Sequence, residues 1–395
     1  MTSVKTISRG SDGGFWRNPK RRAQAFQITL GLALFLFVCA ISANTAANLG
    51  KLNQQLSFGF LGRSAGFEIS QTLIPYKSVS TYGRALVVGL ANTVLVSVLG
   101  IVAATVLGFT VGIMGLSKNW IVSRMAAAYI EFFRNIPLLL QVFVWYSVVL
   151  VQTLPSPREA WTVFGYAYIS NRGLMIPSLS GAPDKGAVIW LLGAIALAWV
   201  AILIISGLVH PEEGAKTKTG LRLSLLFLAI GALLVLVMGR PFELEAPTKT
   251  AFSFSGGITI IPELIALLLA LSVYMATYIA EAVRAGVMAV NRGQVEAAVA
   301  LGLGPLRTTR LIVVPQAMRI IIPPLSTTYL GLIKNSSLAV AIGYPDLVAT
   351  GGTILNQTGK AIEIVTIWMV VYLSLSLATS LLMNWFNANS KLVER

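Results

Sequence analysis

Charged residues are scarce in this 395-residue sequence. Asp, Glu, Lys and Arg make up 11% of the chain and apolar residues 55%. A soluble protein of this length carries roughly 25% charged residues. Several apolar runs also approach the roughly 20 residues that a membrane-spanning helix needs. The composition therefore excludes the soluble fold classes and predicts an all-α integral membrane protein.

Cysteine and histidine are scarcer still. Cys39 is the only cysteine and His210 the only histidine. One chain therefore cannot form a disulfide, a cysteine cluster or a zinc site from these residue types. We interpret Cys39 as a small buried hydrophobe within the first apolar run, and His210 as a solvated residue of a charged loop.

The sequence also lacks a phosphate-binding loop, which requires Gly-x4-Gly-Lys-Ser/Thr. The nearest candidate, Gly359-Lys360, has Ile354 in place of the first glycine and Ala361 in place of the hydroxyl residue. Gly302-Leu-Gly304 fails as a dinucleotide fingerprint because Arg307 occupies the third glycine position. No nucleophile, metal cluster or carboxylate pair stands out, so we predict a non-enzymatic chain that binds no cofactor itself.

The net charge of +15 would suggest nucleic acid on a soluble protein. Here the basic residues lie mostly in loops, which the positive-inside rule explains without a nucleic-acid partner. The basic segment 1–22 before the apolar run 26–43 would also fit a signal peptide. That run is long for a signal core and no Ala-x-Ala site ends it, so an uncleaved first span is favoured.

Eight apolar segments predict about eight transmembrane helices, although seven or nine remain compatible with the pattern. The predicted spans are residues 26–43, 87–114, 125–151, 187–208, 221–238, 258–279, 311–333 and 361–386. With eight spans, the segments on the side of the N-terminus hold 17 Lys and Arg residues and those on the other side 11. This bias predicts that both termini are cytoplasmic.

A polar-flanked loop between the sixth and seventh spans carries Glu-Ala-Ala-Val-Ala-Leu-Gly at residues 296–302. Because alanine is the best helix former, this segment predicts a short helix. Gly302 and Gly304 would let the chain turn, and Pro305 suits the start of another helix. The segments 44–86, 153–186 and 334–360 are too polar to span and are predicted as outer loops, the last partly re-entrant.

Several motifs occur in an order that resembles the permease subunits of bacterial ATP-binding cassette importers for amino acids, in the histidine/glutamine permease family. Besides Asn92 and Thr93, they are Glu-Phe-Phe-Arg-Asn-Ile-Pro-Leu-Leu-Leu-Gln at 131–141, Glu-Ala-Val-Arg-Ala-Gly-Val at 281–287, Arg-Gly-Gln-Val-Glu-Ala-Ala-Val-Ala-Leu-Gly at 292–302, Val-Pro-Gln-Ala-Met-Arg at 314–319, Pro-Pro-Leu at 323–325 and Leu-Ile-Lys-Asn-Ser-Ser-Leu at 332–338. The resemblance covers roughly residues 88–151 and 258–386. The chain is longer than usual members, and this enlarged form is similar to the larger permease of general L-amino-acid importers.

The resemblance implies a type I importer permease core of five helices, extended by an N-terminal helix and an inserted helix pair. The implied segments are a cytoplasmic tail (1–25), a first helix with a periplasmic loop (26–86), the first part of the core (87–152), the insertion (153–257), the second part of the core with a coupling helix at 291–304 (258–386) and a C-terminal tail (387–395). It also implies a lipid bilayer in the bacterial inner membrane, a second homologous permease, two copies of a cytoplasmic subunit that bind ATP and Mg, and a periplasmic amino-acid-binding protein. The cargo would be polar L-amino acids over a broad range.

The resemblance further assigns the segment 296–302 to docking on the ATP-binding subunit. Its candidate coupling residues are Glu296, Ala297, Ala298, Leu301 and Gly302. Two other pairs of opposite charge share a helix face at i, i+3, and either stabilise the helix or act as gate or interface charges. These pairs are Glu131 with Arg134 and Glu281 with Arg284.

Polar residues within spans should face a cavity or a neighbouring helix. Candidates for a path that carries a zwitterionic amino acid are Gln141, Thr277, Ser326, Thr327 and Asn335. Hydrogen bonding between helices is an equal interpretation for each of them. The alternative function, a secondary amino-acid transporter without an ATPase, would need ion-coupling carboxylates near mid-span, which the sequence lacks.

Overall fold

The computed structural model describes residues 19–51, 56–180, 243–250 and 253–389. Residues 1–18 and 390–395 of the two predicted tails, and the predicted fourth and fifth spans, therefore lie outside the described residues. The chain divides into two compact units, residues 1–59 and residues 60–395.

Helices dominate both units, and we number the described ones in chain order. They are α1 (Pro19–Lys51), α2 (Tyr82–Gly115), α3 (Trp120–Asn135), α4 (Leu138–Phe143), α5 (Pro262–Met288), α6 (Arg292–Ala300), α7 (Pro305–Thr308), α8 (Val314–Asn335), α9 (Leu347–Thr358) and α10 (Ala361–Asn389). π-helical turns extend α4 over Val144–Thr153 and join α7 to α8 over Thr309–Val313, and 3-10 helices cover Gly59–Gly62, Pro157–Glu159 and Ser336–Ile342.

Five of the described helices are long and apolar enough to cross a membrane. They are Arg22–Thr45, Tyr82–Gly115, Pro262–Met288, Pro305–Ile342 and Ala361–Ala388. Helix α3 and the α4 segment meet at 99° and make a sixth if they form one broken span. A mostly helical membrane protein is thus confirmed, whereas the number eight stays a prediction.

The first unit consists of α1 with almost every apolar side chain exposed, for example Phe26 at 69% and Leu34 at 63%. The free thiol of Cys39 is exposed as well, so the expectation that it is buried is wrong for this unit. The reason is that α1 packs against no second helix or strand among the described residues of this unit, 19–51 and 56–59. A helix that is apolar all round suits a lipid environment.

The all-α expectation is wrong outside the spans, because residues 153–180 and 243–260 form short strands. They are β1 (Trp161–Val163), β2 (Ala167–Ser170), β3 (Gly173–Ile176), β4 (Ser178–Ser180), β5 (Glu243–Glu245), β6 (Thr248–Lys249), β7 (Phe254–Ser255) and β8 (Ile258–Ile260). Antiparallel pairing gives a sheet in the order β1-β2-β3-β8 and the two-stranded pairs β4-β5 and β6-β7. Aromatic and β-branched residues favour this conformation.

The predicted sixth span begins too early in the sequence, because its first residues form a strand. Residues 258–260 belong to β8 and not to the helix, which begins at Pro262 with proline in its first turn and continues to Met288. Proline is well suited to the first helical position because its missing N–H would have no partner there. Glu281 and Arg284, predicted to follow the span, therefore lie on its last turns.

Glycines on α2 set the relative direction of the main helices. A Cβ atom at Gly108 would lie 2.5 Å from Ile279 Cβ, and one at Gly112 would lie 2.8 Å from Val283 Cβ. Helices α2 and α5 thus advance in the same direction. Helix α8 runs against them, since Thr105 shares a 2.8 Å hydrogen bond with Tyr329 while Gly100 contacts Leu332. The two glycines of this Gly-x3-Gly pattern let α2 and α5 approach each other closely.

These directions define two faces of the second unit. The sheet face holds the start of α5 and the strand β8 that leads into it, and the α6 face holds the segment 289–304. Helix α3 begins near the α6 face, where Ala126 packs with Ala280. Its continuation ends near the start of α5, where the Tyr146 hydroxyl donates to Glu263 Oε1 at 3.0 Å. The bent pair therefore crosses once, as a broken span.

Strands β4 and β5 flank the segment 181–242. They pair antiparallel, with Ser178 opposite Glu245 and Ser180 opposite Glu243. Since β4 follows β3 after one residue, both ends of that segment lie beside the four-stranded sheet. The chain consequently leaves and returns at the same face.

We predict that Gly108→Ala destabilises the protein, because the added methyl group overlaps Ile279. Overpacking of this kind costs about 1–3 kcal/mol. The matched control is Gly352→Ala in α9, where an added Cβ meets nothing within 4 Å and the lower entropy of the unfolded chain stabilises by up to about 1 kcal/mol. Melting temperatures in detergent, followed by tryptophan fluorescence, measure both. Equal melting temperatures for the two variants would contradict the α2–α5 contact.

Candidate coupling loop and transport path

The predicted loop helix is present as α6 and begins four residues earlier than the alanine-rich motif. Asn291 caps its start by accepting a 2.8 Å hydrogen bond from the Gly293 amide. At its end the Gly302 amide donates to the Val299 carbonyl and the Leu303 amide donates to the Ala298 carbonyl. Gly302 has φ +77°, the left-handed conformation that glycine adopts without strain at a helix end.

The side chains of this helix divide into inward and outward sets. Ala298 is only 3% exposed, so it faces the rest of the chain and not a partner, unlike Glu296 and Ala297, which are exposed. Leu301 and Leu306 are each 82% exposed. Leu301 lies outside the candidate spans and Leu306 lies in the first turn of the span Pro305–Ile342. Two leucines this open form an apolar surface that water covers poorly.

A rigid connection joins α6 to α8. Pro305 occupies the first turn of α7, as the sequence predicted. The buried Thr308 hydroxyl donates to the Gly304 carbonyl at 3.1 Å. The chain then continues without a break through the π-helical turn into α8. Pro323 and Pro324 lie inside α8, which remains one helix over 22 residues.

The two charge pairs differ. Arg284 Nη2 lies 3.2 Å from Glu281 Oε2, and both side chains are about one-third to two-fifths exposed. Glu131 and Arg134 form no ion pair with each other in the described part of the chain. Instead, the Arg134 guanidinium carbon lies 5.2 Å from the centre of the Tyr278 ring.

Three of the five path candidates have their polar groups bonded within the chain. Gln141 is buried and its Nε2 donates to the carbonyls of Phe133 at 2.8 Å and Ile136 at 3.0 Å. It therefore holds the break between α3 and α4. The hydroxyl of Thr277 donates to Tyr274 O and that of Ser326 to Ile322 O. Thr327 is exposed and Asn335 is half-buried.

A buried polar network at the sheet face was not predicted as a site, although Asn92 and Thr93 stood out in the sequence. Asn92 Nδ2 donates to the carbonyls of Gln71 and Pro345, both at 2.9 Å. The Leu347 amide donates to Thr93 Oγ1 at 3.0 Å. These bonds fasten α2 to the start of α9, and they join residues about 250 positions apart in sequence.

Asp346 is the charged centre of this network and is fully buried. Its Oδ1 accepts a 2.7 Å hydrogen bond from the Ala349 amide and so caps α9. Neither its Oδ2 nor the buried Asn92 Oδ1 has a hydrogen-bond partner among the residues that the structure describes. Burial raises the pKa of Asp346 to about 7, against two backbone hydrogen bonds that lower it. A neutral carboxyl group is thus the form that this environment favours.

Comparison with known proteins places the chain in a family. A family model described as the binding-protein-dependent transport system inner membrane component matches residues 221–391. The general L-amino acid transport system permease protein AapQ of Rhizobium johnstonii is 49% identical over 381 residues, which cover 96% of this chain and 94% of that protein.

Two further relatives are also matched along nearly their whole length. The putative amino-acid ABC transporter permease protein YhdX of Escherichia coli is 46% identical, with 96% of each chain covered. The glutamate/glutamine/aspartate/asparagine transport system permease protein BztB of Rhodobacter capsulatus is 39% identical, with 95% of each chain covered.

The chain therefore belongs to the inner membrane components of binding-protein-dependent transport systems. Within that class it is an amino-acid permease of the ATP-binding cassette type, as its motifs indicated. It is a non-catalytic membrane subunit, and ATP hydrolysis takes place in a separate subunit. A secondary transporter is excluded by this membership.

We predict that Asp346→Asn removes a pH dependence of stability. Because the pKa of Asp346 in the folded protein, about 7, lies above its unfolded value, the wild type loses stability as pH rises from about 4 to about 7. Asparagine stays neutral and still caps a helix. We therefore expect the melting temperature of the variant to exceed that of the wild type by more at pH 8 than at pH 5.

The control for this measurement is Glu68→Gln, which neutralises an exposed carboxylate near the same face. It should leave the pH profile of the melting temperature unchanged. Parallel profiles for the wild type and the Asp346 variant would show that this carboxyl group does not titrate between pH 5 and 8.

Proposed function

We propose that this chain is the larger permease subunit of an importer for L-amino acids, and that α6 docks into a cytoplasmic ATP-binding subunit. The observation that carries the proposal is the 82% exposure of both Leu301 and Leu306 on the rigid α6–α7 loop. Leucine side chains that stand this far out of a folded loop indicate a surface that a partner covers.

The orientation of the loop is part of this proposal. The segments 116–119 and 289–304 both lie at the α6 face, and the excess of Lys and Arg on that side favours the cytoplasm. The N- and C-termini would then be cytoplasmic too. Glu296, exposed on α6, would offer a charge to a basic residue of the ATP-binding subunit.

Motion would pass from the partner to the membrane through the covalent path from α6 to α8. Two copies of the ATP-binding subunit would hold ATP and Mg, and their closure would displace α6. Because Gly302 caps the end of α6 and Thr308 is hydrogen-bonded to Gly304, the loop would transmit that displacement instead of deforming. Helix α8 packs on α5, where Gly286 lies against Ile321, so the displacement would reach the helices of the path.

The cargo and remaining partners are proposed from the relatives. The names of those relatives specify general L-amino acids in one case and glutamate, glutamine, aspartate and asparagine in another. We propose polar L-amino acids over a broad range, delivered by a periplasmic binding protein to the sheet face. A second, homologous permease would complete the path.

We predict that Leu301→Glu separates the permease from its ATP-binding subunit. The substitution leaves folding intact because the side chain is 82% exposed, but it places a charge in an apolar contact. We expect a loss of affinity of about tenfold or more, equivalent to roughly 1.4 kcal/mol. Co-purification of the ATP-binding subunit, with binding-protein-stimulated ATP hydrolysis, measures the effect.

The matched control is Val79→Glu, which places the same charge on an apolar residue that is 76% exposed at the sheet face. Retention of the ATP-binding subunit by the Val79 variant and its loss by the Leu301 variant support the docking assignment. Full retention by both would mean that α6 is not the docking element.

Labelling with a membrane-impermeant thiol reagent tests the orientation. In a background with Cys39→Ser, we expect Tyr166→Cys to react in spheroplasts and Lys118→Cys to react only after lysis. Tyr166 is 65% exposed at the β1–β2 turn of the sheet face, and Lys118 is exposed in the loop between α2 and α3. The reverse pattern would place α6 outside the cytoplasm and would remove the basis for docking.

A further inference from the structure

Arg134 lies beside the middle part of α5. It is in the last turn of α3, and its guanidinium carbon is 5.2 Å from the centre of the Tyr278 ring on α5. At 1.5 Å per residue, Tyr278 lies about 24 Å along the helix from Pro262 and about 15 Å from Met288. A hydrocarbon layer about 30 Å thick that is centred on α5 includes that position.

The charge of Arg134 has no acidic partner among the described residues. The two ion pairs found there join Arg284 to Glu281 and Lys360 to Glu363. A charged side chain at this depth is costly unless it pairs with another charge or faces a polar cavity. Because Arg134 is exposed and has no acidic partner among the described residues, its charge is open to an anion from outside them.

The contact with Tyr278 leaves the hydrogen-bonding capacity of the guanidinium in place. A ring covers only one flat side of the group, whereas the five N–H donors point outward in its plane. That planar fork matches both oxygens of a carboxylate. The Tyr274 and Tyr278 hydroxyls, 2.9 Å apart and half-buried, add polar groups beside it.

Arg134 lies next to the break between α3 and α4. Helix α3 ends at Asn135 and the next helix begins at Leu138, at 99° to it. The buried Gln141 amide fixes this corner by its two bonds to the carbonyls of Phe133 and Ile136. Discontinuous helices inside the membrane recur where transporters bind their substrates.

We propose that Arg134 binds the α-carboxylate of the amino acid in transit, with Tyr278 holding the guanidinium in position. The inference rests on the proposed function, since it requires an amino-acid cargo. It assigns to Arg134 a role in binding the cargo and leaves Gln141 as the residue that shapes the corner. A lipid phosphate offers similar anionic oxygens, but only binding of the cargo makes the KM for the amino acid depend on Arg134.

Charge rescue tests the proposal in the complete importer, reconstituted in proteoliposomes with its binding protein and ATP. The chain carries Cys39→Ser and Arg134→Cys, and uptake of L-glutamine is measured. One sample is treated with 2-aminoethyl methanethiosulfonate, which attaches a cation, and another with 2-sulfonatoethyl methanethiosulfonate, which attaches an anion. The control is Arg124→Cys, because Arg124 also stacks on an aromatic ring (Trp120, 5.9 Å) but lies at the start of the same helix.

We expect the Arg134 substitution to reduce L-glutamine uptake by about tenfold or more. The aminoethyl reagent should restore part of the uptake and the sulfonatoethyl reagent none. The Arg124 variant should transport normally before and after treatment. Unchanged uptake in the Arg134 variant, or the same response to both reagents, overturns the assignment.

Two outcomes separate this inference from the proposed function and from a structural role. If the unmodified importer takes up no amino acid, the proposed function fails first. If the Arg134→Cys chain does not assemble, Arg134→Lys is measured instead. A several-fold higher KM for L-glutamine with normal assembly supports the assignment. An unchanged KM shows that the charge serves only to pair with another subunit or with lipid.

Discussion

The contact between α2 and α5 is the constraint on which the rest of the second unit depends. Gly108 and Gly112 remove the side chains that would otherwise hold the two helices apart, and Ile279 and Val283 fill the space. Because lipid is as apolar as the helix surfaces, close packing and not water exclusion has to hold such a pair together. The contact also makes α2 and α5 parallel, which fixes the face on which every loop lies.

Two kinds of connection extend from the α2–α5 pair, one toward the sheet face and the other toward the α6 face. Toward the sheet face, hydrogen bonds of Asn92 and Thr93 tie α2 to the segment before α9. Toward the α6 face, the chain runs through capped and proline-initiated turns that have few ways to bend. One end of the helix pair is thus held by polar bonds, while the other carries the exposed α6–α7 loop.

Much of this architecture can be predicted from the sequence, because local sequence patterns determine it. The length of the apolar runs predicted α2 and α10 within a few residues, and alanine content with Gly302 and Pro305 predicted α6 and α7. The strands escaped prediction because they are two to four residues long, too short for an alternating pattern. The Arg134–Tyr278 contact and the Asp346 network escaped it because they join residues roughly 140 to 250 positions apart, a distance on which helical periodicity carries no information.

The pairing of β4 with β5 has a consequence for how such a chain can change in length. The two strands pair where the segment 181–242 leaves and rejoins the described chain, so this pairing can be kept whatever the length of the segment. A short turn between Ser180 and Glu243 would complete an ordinary hairpin at that point. The length and sequence of this segment can therefore diverge among relatives while the paired strands keep their register.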